Sequence, residues 1–87
     1  MTTLPLHERM RSVTSSAELA GFILALNSDF GANRNDWENA DLSSAFEAMA
    51  AWLRDMERAR NQRGESLATL NPFQLCAQVL YASKVYE

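Results

Sequence analysis

The chain has one cysteine, one histidine, one lysine and only three glycines in 87 residues. A single thiol, Cys76, excludes an internal disulfide and any zinc site built from several cysteines. Cys76 falls at an apolar position of a helical pattern, where a buried, inert side chain is expected. His7, near the N-terminus, has no second histidine to share a metal, and Ser-His-Asp or Cys-His catalysis would require it to leave a loose N-terminal segment. Three glycines leave no glycine-rich loop to cradle a phosphate. No apolar run is long enough to span a bilayer, and the segment Met1–Arg11 lacks the apolar stretch of a signal peptide. A soluble, cytoplasmic protein without cofactor is the expectation. Internal repeats, low-complexity tracts and alternating β-branched runs are missing as well, which argues against a solenoid or a sheet.

What remains is helical. Apolar residues make up 47% and charged residues 22%, with a net charge of −3, so the chain is neither a disordered polyelectrolyte nor a basic nucleic-acid binder by composition. A domain of this length buries a thin core, roughly 60–65% of its unfolded surface. The sequence is expected to form a single helical domain over residues 16–87, preceded by residues 1–15 as an arm or short helix. The fold class is all-α: a compact bundle of three main helices at about 16–31, 42–60 and 72–85.

Ser15-x-x-Glu18 has the spacing of a capping box, and Leu19, Phe22, Ile23, Leu26 and Phe30 follow at steps of three and four. Gly31 is the expected terminator. A polar stretch then carries Asn33, Asn35, Asp36, Trp37, Glu38 and Asn39. Asp41 is a good cap for the second helix, whose apolar stripe is Leu42, Ala45, Phe46, Met49, Leu53 and Met56. This is the most amphipathic stretch in the chain, and the rest reads as arranged to pack on it. Asn71-Pro72-Phe73-Gln74 is a third helix start, with Pro at the position where its missing N–H is harmless. The helix that follows is apolar on two sides. Phe73, Cys76, Ala77, Leu80 and Tyr81 form one; Leu75, Val79, Ala82 and Tyr86 form the other. Such a helix is central or covered by a partner, a second copy of the chain included. Trp37, Phe46, Met49, Trp52, Leu53, Phe73, Leu80 and Tyr81 are the predicted core.

No pattern carries catalysis, and the chain is expected not to be an enzyme. Counted from Asp29, a calcium loop would need glycine where Arg34 stands and glutamate where Ala40 stands. Asp55 and Glu47 lie two turns apart on a helix, which is the pattern of a solvated face rather than of a catalytic pair. Glu38 and Asn39 could bond the free amides at the start of the second helix. The candidate binding residues are Asp36, Trp37 and Glu38 at one end of that helix and Arg54 and Arg58 at the other. A tryptophan in a polar loop is more often a core anchor than a recognition residue. The arginine cluster is diluted by Asp55 and Glu57.

Trp37-Glu38-Asn39, then Leu42, Phe46, Ala48, Ala51-Trp52-Leu53 and Asp55, and the ending Ala82, Lys84-Val85-Tyr86-Glu87, resemble a family of small uncharacterised bacterial proteins. The family shares a W-E-N loop, an A-W-L-x-D helix and a Y-E ending. The likeness covers about residues 16–87, with Ser83 standing where an alanine is usual. It implies the helical fold and a bacterial origin, and it carries no catalytic residue.

The functional expectation is a small non-catalytic binding module acting through a protein partner, in an immunity-like or self-associating role. The alternative is a nucleic-acid-associated regulator using the Arg54–Arg63 end.

Overall fold

The structure is a computed structural model that describes residues 4–86. The first three residues of the expected arm, and Glu87 at the end of the last motif, lie outside the described residues. Four helices form: α1 (Leu6–Arg11), α2 (Ser16–Asn33), α3 (Leu42–Gln62) and α4 (Pro72–Val85). Short 3-10 turns at Arg34–Asp36 and Leu67–Thr69 interrupt the connections, and no strand occurs among the described residues. The all-α bundle expected from the sequence is the fold.

The helix starts follow their capping chemistry. At α2 the Ser15 hydroxyl accepts from the Glu18 amide (3.2 Å), while the Glu18 carboxylate accepts from the Thr14 amide (3.1 Å) and hydroxyl (2.9 Å). These bonds, the Thr14 amide foremost, hold Glu18 below the ordinary glutamate value. At α3 Asp41 accepts from the Ser44 amide at 2.8 Å. At α4 Asn71 accepts from the amides of Phe73 (2.9 Å) and Gln74 (3.2 Å). The Gln74 side chain does not close a capping box. It donates to the Arg11 carbonyl (2.6 Å) and so ties α1 to α4.

The helix ends differ from the reading of glycines alone. α2 passes through Gly31 and stops at Asn33. α3 ends where Gly64 turns left-handed (φ 75), with the Glu65 amide reaching back to the Arg60 carbonyl at 2.8 Å. That backbone bond satisfies a free carbonyl of the last turn, in a conformation glycine adopts without strain.

α4 is the central helix. It packs against α3 on one side and against α1 and α2 on the other. The core proper lies on the α1–α2 side: Val13, Phe22, Leu26 and Ala77 are buried, with Leu6, Met10, Leu19, Trp37, Phe73, Leu80 and Tyr81 packed around them. Fully burying a side chain such as Phe22 stabilises by about 1.5–3 kcal/mol. The two apolar sides of α4 therefore serve two different neighbours. Phe73, Ala77, Leu80 and Tyr81 meet the core of α1 and α2. The other side, with Leu75, Val79, Ala82 and Tyr86, is left for α3.

Several expectations are corrected. The amphipathic helix α3 is not the hub; it lies outside the main core. Phe46 and Leu53 are exposed rather than buried. Only one helix touches α3 extensively, and Ala48 is its buried residue. One neighbour covers one side, so the stripe is only partly covered: Ala45, Met49 and Met56 are half-buried, while Leu42, Phe46 and Leu53 meet solvent. Cys76 is also exposed. By helical spacing it falls at the seam between the two sides of α4, near the start of the helix. Conversely, Leu67 in the second connection is buried, because the Glu57 carboxylate accepts from its amide (3.0 Å) and from the Ser66 hydroxyl (3.2 Å) and folds the turn onto α3.

Candidate functional site

Two features are built around α3: a pinned loop at its N-terminal end and an apolar line along its outer side. The loop is fixed by side chains that span the chain. Trp37 is half-buried; its indole N–H donates to Asp29 Oδ2 at 2.9 Å, and its ring meets Phe30 edge-on with centroids 5.0 Å apart. Lys84 Nζ reaches the same Asp29 oxygen at 2.8 Å from α4, and Asn33 donates to the other oxygen at 3.0 Å. Lys84 is the strongest influence holding Asp29 below the ordinary aspartate value; Trp37 and Asn33 add to it against the opposing effect of partial burial.

The neighbouring residues close the end of α4. The Glu38 amide donates to the Lys84 carbonyl (2.8 Å), and the Asn39 side-chain amide donates to the carbonyls of Ser83 (3.1 Å) and Tyr86 (2.6 Å). These are carbonyls of the last helical turn, which has no amides of its own to offer them. Asn39 thus serves the end of α4, not the start of α3 as the sequence suggested. The Tyr86 hydroxyl in turn donates to Asp55 of α3, and this carboxylate raises the Tyr86 hydroxyl above its ordinary value. The W-E-N loop, the aspartate of A-W-L-x-D and the closing Lys84-Val85-Tyr86 form one connected network. Their spacing in sequence does not reveal this, because the contacts join residues 31 to 47 positions apart.

Beside the pinned loop opens a notch of about 280 Å³ lined by Phe30, Trp37, Asn39, Ala40, Asp41, Leu42 and Ala45. From Leu42 the apolar surface continues along α3 through Phe46 to Leu53, which are 69%, 57% and 39% exposed. Isolated exposed apolar residues are ordinary; here three large ones share one side of one helix.

The candidate residues separate into two groups. Asp36 and Glu38 are exposed at the rim of the loop, and Trp37 is an anchor whose ring borders the notch. Arg54 and Arg58 stand several turns along α3, in a shallow depression shared with Glu57, Asn61 and Gln62. They are about 18–24 Å from the helix start by helical rise, so the two groups do not form one site. Arg58 pairs with Asp55 (3.8 Å), and both Arg60 (3.4 Å) and Arg63 (2.9 Å) pair with Glu65. Among the described residues Arg54 has no such partner. The Leu42–Phe46–Leu53 line was visible in sequence as a stripe; its exposure was not. The one available signal was an excess of apolar faces, since α4 carried two and α3 a third.

No helix among the described residues is long and apolar enough to cross a membrane. The fold and its pinned loop define a small all-α protein with an apolar outer face. Residues 15–87 match a family of unknown function, DUF7660, and the chain belongs to that family. No curated protein and no solved structure matches it at a significant level.

Proposed function

We propose that this protein is a non-catalytic binding module of the bacterial cytoplasm, acting through a protein partner held on the outer face of α3. The observation that carries this reading is the exposure of Leu42, Phe46 and Leu53 in one line continuous with the notch beside Trp37. Large apolar groups at the centre with polar groups at the rim are the anatomy of a protein interface. The Asp29 network holds the rim in place before binding, which lowers the ordering cost of association. Asp36 and Glu38 give that rim a negative charge suited to a basic partner, in keeping with an immunity-like role by analogy.

A nucleic-acid role at the arginine end is supported less. Three of the four arginines there already face a carboxylate, which offsets the charge a phosphate backbone would need.

The test is affinity capture from the native host with the wild-type chain and with Phe46→Ser/Leu53→Ser, whose helical circular dichroism should be unchanged. Loss of the captured partner supports the reading, and undiminished capture overturns it. Asp36→Lys/Glu38→Lys should weaken capture of a basic partner. A salt-dependent shift with DNA or RNA, lost on replacing Arg58 and Arg60, would instead favour the nucleic-acid reading.

A further inference from the structure

The outer side of α3 has two unlike edges. One carries Phe46 and Leu53, two turns apart. The other carries Glu47 and Arg54, also two turns apart, and Ala50 lies between the edges. Phe46 and Leu53 are exposed, as are Glu47, Arg54 and Ala50. Neither Glu47 nor Arg54 forms an ion pair among the described residues.

We infer that the partner on this face is a second copy of the chain, docked α3 against α3 in antiparallel orientation. The inference rests on the reading of α3 as a protein-binding face. Geometry chooses the orientation. In a parallel pair related by a two-fold axis, opposite edges meet, so the apolar edge would face charges. In an antiparallel pair, like edges meet. With the axis passing between Met49 and Ala50, Phe46 lies opposite Leu53 of the second copy, and the reverse contact follows by symmetry. On the other edge Glu47 comes within a side chain's reach of Arg54 of the second copy, again twice. The face is therefore complementary to itself in both apolar surface and charge. Ala50, the smallest side chain on this line, sits at the crossing and lets the two backbones approach. α3 is about 31 Å long by its rise, so the strip it offers is smaller than the roughly 800 Å² per partner of a standard interface, and the dimer is reversible.

The full chain examined by sedimentation velocity over a concentration series should shift from one to two copies. Phe46→Asp should hold it monomeric. Glu47→Arg and Arg54→Glu should each weaken the dimer about tenfold by setting like charges together, and the double swap should regain much of the loss. All three positions are exposed, and circular dichroism verifies the fold of each variant. A dimer indifferent to both charge reversals overturns the antiparallel pairing.

A photoreactive residue at position 50, used in the native host, separates this inference from the broader one. A cross-link at twice the chain mass supports self-pairing. A monomer that cross-links only to a different protein overturns self-pairing and leaves the binding face standing. A monomer that cross-links to nothing overturns both.

Discussion

Asn39 closes the end of α4: its side-chain amide donates to the carbonyl of Tyr86 at 2.6 Å, across 47 positions of sequence. The same amide reaches the Ser83 carbonyl at 3.1 Å. One loop residue thus satisfies two carbonyls that the helix leaves free, and it fixes where the loop lies relative to α3 and α4.

Removing that amide should be costly. Asn39→Ala is expected to lower stability by about 1–2 kcal/mol, the cost of leaving partly buried carbonyls unpaired. Asn39→Asp should cost more, since a carboxylate only accepts and would face two acceptors. Chemical denaturation of the three proteins checks this, and equal midpoints would remove the assigned role.

The acid limb of stability should depend on Asp29. Its folded-state value is lowered, chiefly by Lys84, so its contribution is present above the unfolded value of about 3.9 and is lost as pH falls through the folded value. Wild type should exceed Asp29→Asn in stability at neutral pH, and the gap should narrow in acid. A gap that stays constant with pH would count against the network.

Tyr86 works in the opposite direction. Its value is raised by the bond to Asp55, so this contribution is present below the unfolded value of about 10 and is lost as pH rises through the folded value. Ionised Tyr86 would face a carboxylate. The difference between wild type and Tyr86→Phe should therefore be constant at neutral pH and shrink in alkali, as followed by thermal unfolding at each pH.

Phe22 and Phe46 offer a direct contrast. Phe22 is fully buried, and Phe22→Ala should cost about 3–5 kcal/mol. Phe46→Ser should change monomer stability by no more than about 0.5 kcal/mol, because its ring already meets water. Urea unfolding at dilute concentration measures both; a large loss for Phe46→Ser would place it in the core after all.

Cys76 should react with a thiol reagent in the native protein at a rate approaching that of the unfolded chain, since it is exposed. Strong native protection would contradict its place at the α4 seam.

Much of the fold was legible because its signals are local. A hydroxyl three residues before Glu18, Asp41 ahead of Leu42, and Pro72 after Asn71 each act within one helical turn, so spacing alone locates the starts. Gly31 reads as a stop, yet α2 passes through it, whereas α3 does end at Gly64. Nothing in composition distinguishes a glycine that the helix passes through from one whose φ turns positive. The candidate site was less legible. Trp37 anchors the loop through Asp29 of α2, which Lys84 holds in turn from α4, and Asn39 serves a helix that begins more than thirty residues later.

The amino-acid sequence by itself determined the all-α class, the helix starts and the family, because caps, turn residues and the 3.6-residue period depend on near neighbours. Only the tertiary structure decided which apolar stripe is interior. Periodicity marks a side that repels water but says nothing of what covers it. Here α4 has neighbours on both sides while α3 has one, so Ala77 and Ala82 are buried and Phe46 and Leu53 face outward.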